Sequence, residues 1–312
     1  MYVDVNGART YCYTGGKPLE PGRPTVVFIH GVLNDHSVWA LQSRYLAHNG
    51  WNVLAVDLPG HSKSAGEAPA SVEQAAGFVV ALLDALGIQR AALVGHSWGS
   101  LIALEAAARL GARASHLALV GTAYPMKVSP ALIESSLHEP EKALRMVNTF
   151  SRSTLAPPLG AGFWVYGAGM ALGRRVLRSN PQVNVFHRGF VACDSYAGGE
   201  QAIAAIQCPV LFVLGTLDQM THPKAAQGLI QAARAAGRQV QVAQLPVGHH
   251  QMSEAPDETL LALRDFLTRI KMGCNARPAS ADSYSFDSIR PLMAAVSCPI
   301  CRGIAAPRMP AP

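Results

Sequence analysis

Short, nearly continuous apolar runs recur along the chain, and helical patterns separate most of them. The clearest runs are residues 25–29, 52–56, 91–94, 117–120 and 210–214. Strands that are covered on both faces have this composition, because neither face meets water. The runs therefore predict a parallel sheet that lies between two layers of helices.

Two further segments predict strands, and the second of them predicts an edge hairpin. In Val240–Leu245 apolar residues alternate with polar ones, which is typical of a strand with one exposed face. At the start of the chain, residues 2–5 and 9–13 flank Asn6-Gly7, a pair that favours the tight turn of a β-hairpin.

Capping residues and prolines predict the helices between the strands. Ser71 and Gln74 form a capping box at the start of one helix, and residues 98–110 predict a second. Pro223 and Pro256 stand where a proline can open a helix. Strands that alternate with helices predict an α/β fold, with a mostly parallel sheet covered by helices on both faces.

One region interrupts this alternation. Residues 124–196 contain helical patterns but no apolar run that predicts a buried strand, so we interpret them as an insertion. Residues 272–312 are rich in proline and have little periodicity, which predicts a mostly disordered tail. The sheet core then comprises residues 1–123 and 197–271.

Charge and composition narrow the range of partners. The formal net charge is +6, but the basic residues are scattered, so we expect a small-molecule substrate and no nucleic acid. The uncharged stretch 153–173 contains prolines and glycines, which argue against a membrane span. The first ten residues do not resemble a secretion signal, so we expect a cytoplasmic location and reduced cysteines.

Metal-binding patterns are weak in this sequence. Cys298 and Cys301 form a lone C-x-x-C, whereas a structural zinc site needs a second pair of ligands. We therefore expect neither a metal nor a cofactor.

The strongest chemical signal is the pentapeptide Gly95-His96-Ser97-Trp98-Gly99. It matches G-x-S-x-G, follows an apolar strand and opens a helix. A sharp turn of this kind strains the backbone of the serine and exposes its hydroxyl above the sheet, and the glycines leave room for the bend. We therefore predict that Ser97 is a catalytic nucleophile.

A serine nucleophile needs a base that takes its proton, and the base needs a carboxylate that orients it. Asp218 and His249 each lie just beyond the carboxyl end of a predicted strand, in the order acid and then histidine. Asp218 could also serve only as a helix cap. His250 is an alternative base and Asp194 an alternative acid, although Asp194 lies in the insertion.

The oxyanion of an acyl-transfer intermediate needs two hydrogen-bond donors. The backbone N–H of Trp98 is one candidate, because it lies at the start of a helix. The second is the N–H of Val32, in the loop after the first buried strand, where His30-Gly31 also reads as a tight turn.

Taken together, the motifs of residues 20–270 resemble those of the α/β-hydrolase superfamily. The matching segments are Phe28-Ile29-His30-Gly31, Asp57-Leu58-Pro59-Gly60-His61, Gly95-His96-Ser97-Trp98-Gly99, Gly215-Thr216-Leu217-Asp218, and Gly248-His249 followed by Met252, Glu254 and Pro256. The resemblance implies that His249, which directly follows the glycine, is the base rather than His250. It also implies that residues 124–196 form a helical cap over the active site.

Differences between this sequence and related families narrow the range of reactions. Epoxide hydrolases and haloalkane dehalogenases of this fold use an aspartate where Ser97 stands. Proline iminopeptidases resemble one another in a glycine- and proline-rich oxyanion loop that His30-Gly31-Val32 and the residues after it lack. Carbon–carbon bond hydrolases, perhydrolases and acyltransferases share the serine triad and stay open as alternatives.

An aromatic and apolar cluster in the insertion suggests the substrate. Phe163, Trp164 and Tyr166 could line a pocket or could simply pack in a core. Our first hypothesis is a serine hydrolase that acts through an acyl-enzyme on a small to medium, largely apolar carboxylic ester. A non-catalytic binding module is a less favoured hypothesis, because no triad residue is missing.

The predicted tail gives a direct test. Deletion of residues 272–312 should leave activity unchanged and shift the melting temperature by no more than about 2 °C, because a disordered segment adds no packing. Thermal unfolding and an activity assay of the truncated chain measure both quantities. A large loss of stability would show that the tail packs against the core.

Overall fold

The computed structural model describes residues 1–153 and 165–268. Within them, eight strands form one sheet. They are β1 (Tyr2–Val5), β2 (Ala8–Tyr13), β3 (Thr25–Ile29), β4 (Asn52–Val56), β5 (Ala91–His96), β6 (Ala114–Val120), β7 (Val210–Gly215) and β8 (Val240–Leu245). Their order across the sheet is β1-β2-β4-β3-β5-β6-β7-β8.

The sheet is mostly parallel, as predicted. Strands β3 to β8 pair in parallel, whereas β1 pairs antiparallel with β2, and β2 antiparallel with β4. The hairpin between β1 and β2 turns at Asn6 and Gly7, whose φ angles are 53° and 78°. Both residues of a type I′ turn need positive φ, which is why this pair favours the hairpin.

Eleven α-helices lie in the described residues. They are α1 (Ala40–His48), α2 (Val72–Ala85), α3 (Trp98–Leu110), α4 (Pro130–His138), α5 (Pro140–Phe150), α6 (Val165–Ser179), α7 (Val185–Ser195), α8 (Gly199–Ala205), α9 (Gln227–Ala235), α10 (Gln251–Glu254) and α11 (Pro256–Thr268). Helices α2, α3 and α11 begin at or next to the residues that the sequence predicted, whereas no start was predicted for α1, α6, α7, α8 or α10.

The helix starts show the expected capping chemistry, with one difference. The Ser71 hydroxyl accepts a hydrogen bond from the Gln74 amide at 3.2 Å, but the Gln74 side chain accepts from the Ala70 amide and not from that of Ser71. Pro223 opens a short 3₁₀ helix, Pro223–Ala226, before α9 begins. A proline fits a first helical turn, where its missing N–H would have no partner.

Alternate residues of the central strands bury against two different helical layers. In β7, Phe212 packs into the cluster that includes residues of α2, α3, α8 and α9, whereas Leu211 and Val213 pack into the cluster with α1 and α11. This alternation follows from the pleat, which sends successive side chains to opposite faces. Both faces are apolar, so the strands read as continuous apolar runs.

The chain between β6 and β7 contains helices and, in its described part, no strand. Helices α4 and α5 begin at Pro130 and Pro140, where a proline fits the first helical turn, and the Ser129 hydroxyl accepts a hydrogen bond from the Leu132 amide at 3.3 Å. Side chains from α4 to α7, among them Leu144 and Phe186, form a cluster with Leu33 and Ala68 from the segments after β3 and β4. No helix of the described residues is long and apolar enough to cross a membrane. The predicted tail lies outside the described residues.

Candidate active site

Ser97 occupies a strained turn between the end of β5 and the start of α3. Its φ is 54° and its ψ is −123°, a conformation that costs a non-glycine residue about 1–3 kcal/mol. The Ser97 amide donates to the carbonyl of Val120 at 2.9 Å, and the Ser97 carbonyl accepts from the Ser100 amide at 2.8 Å. These bonds hold the strained residue at the carboxyl edge of the sheet.

Three glycines allow the backbone to pass through this turn. A Cβ on Gly95 would overlap the carbonyl of Gly99, and a Cβ on Gly99 would overlap the carbonyls of Ile29 and His30. A Cβ on Gly31 would lie 3.1 Å from the Cβ of Ser97. The loop after β3 and the start of α3 are therefore in direct contact around Ser97.

Asp218 is buried in the loop after β7. Its Oδ1 accepts hydrogen bonds from the amides of Met220 and Thr221, both at 2.8 Å. Burial on its own would raise the pKa of this carboxyl, but the bonds from His249 and Thr221 outweigh burial and lower the pKa to about 2. Asp218 is therefore a carboxylate at neutral pH.

His249 joins Asp218 through its ring. The Nδ1–H donates to Oδ2 of Asp218 at 2.8 Å, so Nε2 is left as the basic nitrogen. The backbone of His249 is also fixed: its amide donates to the carbonyl of Ser151 at 2.7 Å, and Nε2 of His96 donates to its carbonyl at 2.8 Å. The residue just before Ser97 thus holds the loop that carries His249.

Thr221 completes this group. Its hydroxyl oxygen lies 2.7 Å from Oδ2 of Asp218, 2.9 Å from the carbonyl of Gly121 and 3.0 Å from Nδ1 of His249. The sequence analysis did not identify Thr221. The one feature of the sequence that could have indicated it is its position three residues after Asp218.

The two alternative residues make other contacts. Asp194 lies on α7, accepts a hydrogen bond from the Val128 amide at 3.1 Å and pairs with Lys127 at 3.6 Å. The His250 amide donates to Glu254 at 3.0 Å, and burial with the nearby Arg152 lowers the pKa of its ring well below the usual value. The carboxylate that bonds to the ring of His249 is that of Asp218 and not that of Asp194.

Ser97 and His249 line one cavity of about 650 Å³. Its wall also contains Val32 and residues of α5, α6 and α7. Most of the lining is apolar, with side chains such as Leu33, Val38, Leu41, Leu144, Val147, Leu172, Phe186, Phe190, Met220 and Met252. The cavity is large enough for a small-molecule ligand.

The predicted oxyanion donors, the amides of Val32 and Trp98, belong to the two segments that meet near Ser97. Val32 belongs to the cavity wall, in the loop that Gly31 brings against Ser97. Trp98 is the first residue of α3, where an amide has no acceptor within its own helix.

The aromatic residues of the insertion are only partly described. Tyr166 begins the described part of the insertion's third helix, is half-buried and packs against the cluster of α4 to α7. It is not among the residues that line the cavity. Phe163 and Trp164 lie outside the described residues.

One group in the described residues has the ligands for a metal ion. Carboxylate and ring atoms of Asp35, His36 and Asp57 lie within 4.8 Å of one another. Asp57 already accepts from His36, and Asp35 accepts from Ser37 and Arg175. These protein donors satisfy both carboxylates, so the group needs no cation for its stability. Cys298 and Cys301 lie outside the described residues.

Arg152 is a cavity residue that the sequence analysis missed. The sequence does set this residue apart, because Arg152 is the single charged residue between Arg145 and Arg174. A lone charge in an otherwise uncharged stretch indicates a position where the charge is needed.

Comparisons with known proteins agree with this architecture. Residues 24–161 match a family model described as the alpha/beta hydrolase fold. The chain is 39% identical, over 122 residues, to the dihydrolipoyllysine-residue acetyltransferase component of an acetoin cleaving system from Cupriavidus necator, covering 38% of this chain and 31% of the relative. It is 36% identical, over 109 residues, to epoxide hydrolase A of Mycobacterium tuberculosis, covering 33% and 32%. The chain thus spans about a third of the length of these curated relatives.

A solved structure matches over a larger part of the chain. The enol-lactonase from Burkholderia xenovorans LB400 superposes with a TM-score of 0.72 at 26% identity, and the match covers 86% of this chain and all of that chain.

The crowding at Gly99 gives a test of the turn. Gly99→Ala should destabilise the protein by about 1–3 kcal/mol or more, because its Cβ meets backbone carbonyls that cannot move cheaply. Gly228→Ala is the matched control: it lies exposed in α9 with open space around it, and should stabilise by about 0.5–1 kcal/mol. Urea unfolding measures both changes. Equal effects of the two substitutions would contradict the close approach at Gly99.

Proposed function

We propose a serine-hydrolase function for this chain, which belongs to the α/β-hydrolase superfamily. The observation that carries the proposal is the hydrogen bond from Nδ1 of His249 to the buried carboxylate of Asp218, on the same cavity as the strained Ser97. In a serine hydrolase, a histidine that a carboxylate orients in this way accepts the proton of the serine hydroxyl.

In the proposed reaction, Oγ of Ser97 attacks the carbonyl carbon of an ester, and Nε2 of His249 accepts the hydroxyl proton. The proton then passes to the leaving alcohol as the ester C–O bond breaks, which leaves an acyl-enzyme on Ser97. Water, deprotonated by His249, attacks the acyl carbon and releases the acid. Asp218 remains ionised throughout, in keeping with its lowered pKa, and stabilises the imidazolium.

The amides of Val32 and Trp98 are the proposed donors to the oxyanion. Both belong to segments that touch at Ser97, and the Trp98 amide has the added favourable field of the α3 N-terminus. Backbone donors held in place by packing stabilise the intermediate without having to reorganise.

Residues 124–196 are proposed to act as a cap that covers the cavity. Helices α5, α6 and α7 contribute to the cavity wall, and the apolar character of that wall supports a small to medium, largely apolar ester as substrate. Phe163 and Trp164 remain proposed substrate contacts, whereas Tyr166 packs against the cluster of α4 to α7 and does not line the cavity.

The names of the relatives bear on two candidate reactions. The name of the M. tuberculosis relative is that of an epoxide hydrolase, but this chain has Ser97 where such enzymes use an aspartate, so we favour ester hydrolysis. The C. necator relative is named as an acetyltransferase component, which supports acyl transfer as the second candidate function. An acyltransferase would form the same acyl-enzyme but pass the acyl group to an acceptor other than water.

Labelling with a fluorophosphonate probe tests the activated serine. The probe should modify Ser97, located by peptide mass spectrometry, and Ser97→Ala should abolish the adduct. Hydrolysis of short-chain esters should fall about 10⁴-fold or more in Ser97→Ala and in His249→Ala, because the triad acts as a unit. An adduct on another serine, or unchanged hydrolysis in either variant, would contradict the proposal.

The products distinguish hydrolysis from acyl transfer. We expect the free acid to remain the main product when an alcohol or amine acceptor is added to the assay, because water is the proposed acceptor. Chromatography of the products measures the ratio, and a predominance of the transferred acyl group would favour the second candidate.

A further inference from the structure

Arg152 places a positive charge in the wall of the cavity. Its Nε and Nη1 are buried and have no hydrogen-bond partner among the described residues. Burial lowers the pKa of Arg152 to about 10, while Glu254 opposes this shift, so the guanidinium is charged at neutral pH. Because Arg152 lines the cavity and part of its guanidinium is buried without a hydrogen bond among the described residues, an anion in the cavity would lower the cost of burying this charge.

The nearest carboxylate is engaged elsewhere. Glu254 accepts hydrogen bonds from the amides of Ser153, Gly248 and His250, at 2.9, 3.1 and 3.0 Å. In the described part of the chain it acts on Arg152 only at longer range. Glu254 therefore holds the loop before His249, and does not close an ion pair with Arg152.

The rest of the cavity wall supplies no negative charge. Of the residues that line it in the described ranges, none is Asp or Glu. The other cationic side chain, Arg175, donates to the Asp35 carboxylate at 2.7 Å. Arg152 is thus a cation in a mainly apolar wall whose described residues include no Asp or Glu, and Glu254, which lies outside that wall, acts on it without a hydrogen bond among the described residues.

The backbone of α6 is shaped to leave room for this guanidinium. A Cβ on Gly169 would lie 3.1 Å from Nη2 of Arg152 and would overlap the side-chain oxygen of Asn148. Gly169 and Asn148 both line the cavity. The charged group and the amide therefore lie side by side next to Gly169 of α6, in the space that a larger residue at position 169 would fill.

We infer that the cavity binds esters that carry a carboxylate in addition to the scissile ester group, and that Arg152 binds this carboxylate. The inference rests on the proposed function and specifies its substrate class: a largely apolar body with one anionic end. A guanidinium matches a carboxylate because it can donate two parallel N–H bonds to the two oxygens. The bond cleaved is still the ester C–O bond, and the carboxylate takes no part in the chemistry.

Matched pairs of esters test this binding site. Monoethyl succinate, glutarate and adipate are compared with ethyl butyrate, valerate and hexanoate, which have acyl chains of the same length but no carboxylate. In the wild type, kcat/KM should favour the anionic ester for at least one length. Arg152→Met should lower the anionic-to-neutral ratio of kcat/KM by about 10- to 100-fold, mainly through KM, because a charge-assisted hydrogen bond is lost.

Two further variants separate binding from folding. Arg152→Lys keeps the charge but not the planar fork, so its ratio should lie between those of the wild type and Arg152→Met. Arg178→Met removes an exposed arginine from α6, outside the cavity, and should change the ratio less than about twofold. A ratio that Arg152→Met leaves unchanged, or a wild type that prefers the neutral ester at every length, would overturn the inference.

Calorimetry keeps this test independent of hydrolysis. Ser97→Ala should bind monoethyl adipate or one of its shorter homologues more tightly than the neutral ester, and Ser97→Ala/Arg152→Met should lose the difference. If this binding is seen but no ester is hydrolysed, the carboxylate site stands and the proposed function is wrong. If esters are hydrolysed and binding does not depend on Arg152, the site is wrong and the proposed function stands.

Discussion

The contact between the Gly99 backbone and the end of β3 determines how the rest of the site is built. Because α3 starts against the carbonyls of Ile29 and His30, the chain must turn within one residue, and Ser97 is forced to a positive φ. The cost of that conformation is offset by the packing of α3 and by the bond from Ser97 to β6. The same contact puts the loop after β3 beside Ser97, where the proposed oxyanion donors lie.

Buried histidines surround this turn, and they are neutral. Burial lowers the pKa of His61 and of His96 to about 3, and also lowers that of His30. Because these groups take up protons in the unfolded chain near pH 6.5 but not in the fold, they favour unfolding as the pH falls. Asp218 acts in the same direction, since its pKa is lower in the fold, and its contribution to stability is lost as the pH falls from about 4 toward about 2. The neutral imidazoles leave the Asp218 carboxylate as the charge that polarises His249.

The sequence predicted the sheet well because its central strands are apolar on both faces, a pattern with few competing interpretations. It missed α1 because the buried side of that helix carries Gln42 and Ser43, and the Gln42 side chain donates to the carbonyl of Met252 at 3.3 Å. It began β6 at Leu117 rather than Ala114 because His116 is buried there against the ring of Phe266. In each case a polar residue is buried through a contact with a distant part of the chain. The local pattern of apolar and polar residues cannot predict such contacts.

The same limit applies to the site. Ser97, Asp218 and His249 could be selected because each follows a strand, and topology brings strand ends together. The position of Arg152 depends instead on the docking of the segment after α5 onto the His249 loop, where the Ser151 carbonyl accepts from the His249 amide at 2.7 Å. That one bond links the proposed base to the segment that carries Arg152. A shift of this segment would therefore move the orientation of His249 and the proposed carboxylate site together. The proposed carboxylate site and the proposed catalytic base would then be coupled through the backbone of residues 151–153.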